Sequence, residues 1–547
     1  MSRALPARVP VLVAGGGPVG LAAAVELGRR GVDCLVVEPR RTVSRARPRC
    51  KTINVRTMEH LRRWGLAGRL RERAPLPVDW SRDVVFCTSL SGWELSRFTG
   101  VLGLAEDGDR FAETGQQAPQ YVLEDLLREA VDELDGCHLA LGTRVVALEQ
   151  NADEVTVTVE DEDGTAHRVI ADYVLGCDGP RSVVRESIGA RYVGGKALSP
   201  NFGMVFRSRE LWQHVRHGPA VQYWVVNSVA PALVGPIDRE GTWWGIAFGV
   251  DKETGARQAR QLIDAMAGRA LDAEVLSTDP WTARMQVVDR MREGRVFLAG
   301  DAAHLNPPFG GHGLNTGIGD AVDLGWKLAA VLEGWGGTAL LDSYEEERRP
   351  VQEAVVREAT ANMRVLSTDL VAGDLDAENP EGTRARQATG ARIQETKRAE
   401  FHALGLVLDL RVGEDSSVLP PETPATGTAT GTATGTGSPR TGVRLPHTRL
   451  ADGRSLFDLL GPGHTLLRLG EHPADERLVA AAGACGLPLS VAEPGRLLSA
   501  AYRDALGARL VLVRPDQMVA WYGDQAPDDA EHLLRVLGGH VPRVPVS

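Results

Sequence analysis

Gly15, Gly17 and Gly20 stand in the spacing GxGxxG, between an apolar run, Val9 to Ala14, and a segment with helical character, Val19 to Gly31. An acidic residue, Glu38, closes the next apolar run, DCLVVE, eighteen residues after the last glycine. Each residue type has a task in holding a dinucleotide. The first glycine permits a tight turn, the second lets a pyrophosphate approach the backbone, the third lets helix and strand pack closely, and the carboxylate accepts a ribose hydroxyl. Pro18 and Val19 open the helix, Pro39 and Arg40 follow the carboxylate, and all four are assigned to the same cradle. A carboxylate there repels a 2′-phosphate, which admits FAD or NAD and disfavours NADP.

A second constellation lies far downstream, between Gly294 and Ala329. A strand, RVFLAG, is expected to deliver Gly300 and Asp301, where a carboxylate is placed to hold a polyol chain. The loop that follows contains Pro307, Pro308, Gly311 and Gly313 and leads into a helix expected from about Leu314 and Asn315. A helix start without bulky side chains offers unpaired amides and a positive dipole end, suited to the negative charge of a reduced isoalloxazine. A third motif is GCDGPRSVVRESIG, in which Asp178, Gly179 and Arg181 are the informative positions.

These groups need elements to hold them. Strand, turn, helix and strand around the first glycines form the setting in which a GxGxxG motif acquires meaning. Tryptophan-rich alternating segments, Ala220 to Val226 and Thr242 to Val250, read as strands of a second sheet. Leu341 to Leu410, rich in Glu, Arg, Ala and Val, reads as helices. Residues 420–442, with the core ATGTATGTATGTGSP, read as a flexible linker that cannot bury enough surface to fold. It sets off a C-terminal module, residues 443–547.

The chain has 547 residues, a soft prior for three or four domains at roughly 150 residues each. Hydrophobic residues make up 43% and charged residues 24%, the balance of a folded soluble chain. With 72 acidic against 61 basic side chains the net charge is −11, which gives no global attraction to nucleic acid or anionic lipid. No apolar stretch of about 18 residues reads as a membrane span. The six cysteines form no CxxC pair and no Cys/His cluster at zinc spacing, so they read as buried apolar groups, no metal is expected, and a reducing cytoplasm is the default.

With the three motifs in this order, the chain resembles the FAD-dependent aromatic hydroxylases, single-component flavoprotein monooxygenases. The resemblance implies that the stretch around Asp301 holds the ribityl chain, that Pro307 to Asn315 lies against the flavin ring, and that Asp178, Gly179 and Arg181 serve FAD and the nicotinamide nucleotide. It also assigns Arg49, in PRCKTINVRTMEHLRRWGL, to a place near the flavin, and Gln120, in QYVLEDLLREAV, to the ribityl chain. Met291 departs from the aromatic residue frequent in relatives. The C-terminal module resembles the thioredoxin-like domain of phenol and polyketide hydroxylases. Its single Cys485 excludes thiol–disulfide exchange, so it reads as structural or dimer-associated, and a homodimer is left open.

The implied fold is α/β with α+β character: a Rossmann-like FAD-binding domain, an inserted mixed-sheet substrate domain and the thioredoxin-like domain. The FAD-binding body takes residues 1–75, 115–190 and 285–410, and the substrate sheet residues 76–114 and 191–284. The implied reaction uses FAD, NADH or NADPH as a visiting reductant, and O2. Through a flavin C4a-hydroperoxide it hydroxylates an activated ring: a phenol, a hydroxypyridine or a fused polyketide, in the tailoring of natural products. Tyr223, Trp224, Trp243, Trp244 and Pro307 are candidate substrate contacts, although only one of two adjacent strand residues can face a pocket. His312 is the one candidate for acid–base work, and packing beside the ring is its other reading. Rival readings are a Baeyer–Villiger or epoxidising monooxygenase of the same fold and a flavin-free prenyl-binding protein. A halogenase is disfavoured, because WWGI at Trp243 to Ile246 breaks that family's tryptophan motif.

Overall fold

The computed structural model describes residues 4–46, 52–195, 200–363, 367–371, 373–413, 415–420, 440–469 and 475–541. In the strand Arg8–Ala14 both faces are apolar from Val11 to Ala14, and these residues are buried. That is the signature of a parallel strand covered on both sides. It lies at the centre of a parallel array ordered Val296–Leu298, Ala166–Gly176, Arg8–Ala14, Cys34–Glu38 and Cys137–Leu141. The hairpin Thr143–Gln150 and Val155–Asp161 continues the sheet antiparallel from the strand Ala166–Gly176.

Two helices cover one another beside this sheet, Pro18–Gly28 and His312–Leu332. The first is built on LAAAV, good helix formers that are buried, with proline at its first position. It ends at Gly28 rather than at the expected Gly31, because the chain turns back to the sheet through Gly31 at φ 77°. The second begins at His312, two residues before the expected Leu314. The expected strand to Asp301 stops at Leu298, and Gly300–Ala302 forms a tight turn instead, with Gly300 at φ 60°.

A seven-stranded sheet has the order Glu274–Thr282, Pro200–Arg207, Thr242–Phe248, Ala232–Pro236, Gln222–Val225, Val84–Cys87, Glu94–Phe98. All its pairings are antiparallel except Gln222–Val225 with Val84–Cys87. The helix Pro380–Phe401 packs on its edge strand Glu94–Phe98, and the helix Ala339–Met363 packs on His312–Leu332 and on Pro380–Phe401.

The C-terminal sheet has the order Leu489–Ala492, His464–Arg468, Leu510–Val513, Val519–Gly523, the first pair parallel and the rest antiparallel. With the helix Glu476–Cys485 between its first two strands and Ala530–Leu537 after its last, it is a thioredoxin-like unit. Of the residues expected to form the linker, 421–439 lie outside the described ones. Gly442 is not linker: its amide donates to the carbonyl of Val519 at 2.8 Å. Cys34, Cys87 and Cys137 are buried as expected, Cys177 and Cys485 are half-buried, and Cys50 lies outside the described residues. Among the described residues no helix is long and apolar enough to cross a membrane, and no cluster of His, Cys, Asp or Glu could hold a metal ion.

Candidate active site

A cavity of about 1470 Å³ opens where the parallel strands Arg8–Ala14 and Cys34–Glu38 end and runs to the seven-stranded sheet. The carboxyl ends of parallel strands are where an open α/β sheet offers a crevice. Gly15, Gly17, Pro18 and Val19 line it. Gly15 has φ 102°, and a Cβ on it would stand 2.4 Å from the carbonyl oxygen of Cys177. Gly20 lies behind the wall, where a Cβ would meet the Gly15 carbonyl oxygen at 1.9 Å, so its role is close helix packing. A Cβ on Gly17 would meet nothing within 4 Å, and this residue caps the helix Pro18–Gly28 without any side-chain cap. The helix end therefore presents open, positively polarised backbone to the cavity, the fit a pyrophosphate requires.

Glu38, Pro39 and Arg40 line the same region. The Glu38 carboxylate is 3% exposed and accepts from the Gly16 amide at 2.8 Å and from Arg40 Nε at 2.7 Å. Oε1 accepts from the Arg40 amide as well, at 2.9 Å, which leaves Oε2 with a lone pair for a ribose hydroxyl. Gln120 lines the cavity from the first turn of the helix Gln120–Asp132, its amide donating to Glu124 Oε1 at 2.7 Å. Asp178, Gly179 and Arg181 also line it. Asp178 accepts from Ser182 Oγ at 2.5 Å and from the Val184 amide at 3.2 Å, so its carboxylate braces the loop into the helix Val183–Ser187. Burial pushes its carboxyl up, while these hydrogen bonds act the other way.

Asp301, Pro308, Gly311, Gly313 and Leu314 form the facing wall. Tyr192 donates its hydroxyl to the Asp301 carbonyl at 2.5 Å, which fixes the turn that carries the carboxylate. Gly300 lies beneath, where a Cβ would press on Val19 at 2.9 Å. Asn315 does not line the cavity. Its Oδ1 accepts from Thr57 Oγ1 at 2.7 Å and from the Asn54 amide at 3.0 Å, and its Nδ2 donates to the Gly311 carbonyl at 2.7 Å. It staples the loop to residues 54–57. Arg49 lies outside the described residues.

Four candidate substrate contacts are corrected. Tyr223 and Trp243 are fully buried in the core between the seven-stranded sheet and the helix Lys252–Ala267, Tyr223 donating to the Gly218 carbonyl at 2.5 Å. Trp224 is buried on the other face, stacked at 5.3 Å on Phe86 and 5.8 Å on Phe309. Pro307 is buried and does not line the cavity. Trp244 does line it, as strand alternation with Trp243 requires. His312 also faces elsewhere, into a cavity of about 90 Å³ with mixed lining, shared with Arg56, His60, Arg348, Val351 and Val355. Burial drops its pKa to about 4, so it is a neutral ring in neutral solution rather than an acid or base for a substrate.

Sequence reasoning missed the apolar wall. Leu102, Leu233, Ile246, Phe309 and Phe401 line the cavity with Trp244 and belong to one packed cluster. They come from a loop, two strands, the glycine-rich turn and a distant helix, so no spacing announces them. Leu102 carries a left-handed backbone, φ 57°, the one local irregularity there.

Fold and site together define a dinucleotide-binding oxidoreductase with a second, apolar compartment. Residues 8–359 match the family described as FAD binding domain, and residues 438–540 the family described as aromatic-ring hydroxylase, C-terminal. A putative polyketide hydroxylase of Streptomyces halstedii is 34% identical over 96% of this chain and 95% of its own. The rebeccamycin biosynthetic enzyme RebC with reduced flavin superposes with a TM-score of 0.88 at 34% identity over 98% of this chain and 100% of its own. Aklavinone-11 hydroxylase with FAD and aklavinone gives 0.80 at 30% identity over 97% and 98%. The chain belongs to the FAD-dependent aromatic-ring hydroxylase family. Its cofactor is FAD, and the open backbone at Gly17 with the carboxylates of Glu38 and Asp301 fits that group.

Proposed function

We propose that this enzyme hydroxylates a fused, phenolic aromatic compound of the polyketide kind, with a nicotinamide nucleotide as electron donor and O2 as oxygen donor. The observation that carries this reading is the size and make-up of the cavity that the glycines line. At about 1470 Å³ it exceeds the roughly 300–1,000 Å³ of a pocket for one small molecule, and it carries the apolar wall of Leu233, Trp244, Ile246, Phe309 and Phe401. The polyketide hydroxylase and aklavinone hydroxylase named above support the substrate class.

In this reading Gly15, Gly17, Glu38 and the start of the helix Pro18–Gly28 hold the dinucleotide half of FAD, while Asp301 and Gln120 hold its polyol chain. When bound, FAD accepts a hydride from the nicotinamide and activates O2 for transfer of one oxygen atom to an electron-rich ring. The chain's own residues set the conditions. The amides entering the helix His312–Leu332 stabilise negative charge on the ring system. Trp244, Ile246, Leu233, Phe309 and Phe401 exclude water and offer flat surfaces to an aromatic substrate. One glycine-rich cradle serves because the nicotinamide nucleotide visits rather than stays.

The test is to purify the protein, record its flavin absorbance, and follow NADH and NADPH oxidation with phenols, hydroxypyridines and polyketide aglycones. A yellow protein whose NAD(P)H use rises with the fused phenols, giving a product heavier by one oxygen atom, is the expected result. A colourless protein that takes up no FAD, or oxidation indifferent to every aromatic compound, contradicts it.

A further inference from the structure

The helix Pro380–Phe401 carries no motif, yet its last turn reaches the cavity wall at Glu400 and Phe401. Glu400 is 1% exposed, and Lys397, one turn earlier, is 0% exposed. Lys397 Nζ donates to Glu400 Oε2 at 2.9 Å and to the Asn362 carbonyl at 2.7 Å, and stands 4.6 Å from the ring centroid of Trp224. Two charges are tolerated in an apolar interior only when each is paired and hydrogen-bonded. Here the pair lies against the packed apolar cluster that lines the cavity, where a purely structural role would be served as well by apolar side chains. Gly310, in the turn that precedes the helix His312–Leu332, lines the same cavity.

We infer that Glu400 is a catalytic residue that takes the proton from the hydroxyl group of the aromatic substrate, with Lys397 as its positioning residue. The inference rests on the hydroxylase reading above. The substrate O–H bond breaks and a new O–H bond forms on a carboxylate oxygen of Glu400. The bonding electron pair stays on the substrate oxygen, where it enriches the ortho and para ring carbons that accept an electrophilic oxygen. The proton passes to water when the product leaves.

The charges around Glu400 suit this task. Burial raises its carboxyl first of all and Glu358, on the helix Ala339–Met363, raises it further, while Lys397 on its own helix and the Gly310 amide on the loop pull it back, and the net shift is upward. A carboxylate of raised basicity is a better acceptor for a phenolic proton near neutral pH than an ordinary one. Lys397, held by the Asn362 carbonyl, keeps the Glu400 carboxylate in place on the cavity wall.

The test uses the FAD-loaded enzyme and a panel of hydroxyanthraquinones, whose phenolates absorb at longer wavelength than flavin. Bound to the wild type, a member that stimulates NAD(P)H oxidation shows the phenolate spectrum below its solution pKa. In Glu400→Gln it stays neutral, kcat falls by roughly 100-fold or more with FAD retained, and the acid limb of the pH profile disappears. Glu400→Asp recovers part of the rate and moves the pH at which bound phenolate forms. Phenolate formed equally in Glu400→Gln overturns the inference. If Glu400→Gln does not fold, an unmoved titration of the bound dye in Glu400→Asp overturns it instead. A wild type that neither binds nor oxidises any hydroxyanthraquinone contradicts the substrate reading rather than the role of Glu400.

Discussion

Gly17 and Gly20 are three residues apart and do different physical work. A side chain on Gly20 collides with the Gly15 carbonyl, whereas one on Gly17 enters open cavity. Gly17→Val is therefore expected to fold, with an unchanged thermal midpoint in the absence of FAD, while its FAD affinity falls at least about tenfold, or 1.4 kcal/mol. Gly20→Val is expected to fail to accumulate as folded protein. Equal loss of both proteins from the soluble fraction contradicts this division. His312, with a pKa of about 4, does not titrate near neutral pH. His312→Gln is expected to leave the pH profile of kcat/KM unchanged between about pH 6 and 9, and a vanished limb there contradicts the assignment. Gly15 and Gly20 were legible because backbone geometry admits few other residues there, and Gly17 because of its spacing between them. Tyr223, Trp224 and Trp243 were not, because alternation says that neighbours face opposite ways without saying which face meets the cavity. Glu400 was invisible for a further reason: its place on the wall comes from the packing of the helix Pro380–Phe401, and one carboxylate in a charged helix gives no signal.

The helix Pro18–Gly28 is held to the helix Val55–Arg63 and the residue after it by one buried carboxylate. Glu26 accepts from Arg63 Nη2 at 2.7 Å and from Trp64 Nε1 at 2.8 Å. Burial alone raises its carboxyl, but Arg63 and Arg30 outweigh that and bring it from 4.5 down to about 2. A folded pKa below the unfolded one contributes stability at higher pH that is lost as pH falls from about 4.5 to about 2. The gap corresponds to about 3 kcal/mol. Glu26→Gln is expected to unfold more readily at neutral pH and to lose less stability than the wild type between about pH 5 and 3, measured by denaturant titration at each pH. Parallel pH dependence in the two proteins contradicts it. At this scale the sequence showed the strand–turn–helix–strand unit and the alternating strands plainly, since periodicity encodes burial. It did not show the start of the helix His312–Leu332, where the left-handed Gly310 and Gly311 let a loop become a helix two residues early.

The thioredoxin-like unit docks on the body through buried charge. Arg514 donates to Glu347 at 2.8 and 2.9 Å and to Asp516 at 2.5 Å, and Lys327 bridges Glu347 and Asp323 at 2.9 Å each. Removing one partner of such a network leaves the others uncompensated, at a cost of roughly 3–5 kcal/mol. Arg514→Met is expected to lower stability by about that amount and to make the C-terminal unit more susceptible to limited proteolysis. A variant as stable and resistant as the wild type contradicts the docking role. The existence of a separate C-terminal unit was legible from the Ala/Thr/Gly repeat before it. Its mode of attachment was not, because Arg514, Glu347 and Asp323 are brought together across 167 and 191 residues and charges carry no periodicity.

A hydroxylase of this kind places one atom of O2 in its product. The most direct measurement is a turnover of the purified, FAD-loaded enzyme with a fused phenol under heavy-isotope dioxygen in ordinary water, read by mass spectrometry of the product. One heavy oxygen atom in each product molecule, with NAD(P)H consumed in equal amount, is the expected result. Product oxygen drawn from water, or an oxidised product that contains no new oxygen, would contradict the account.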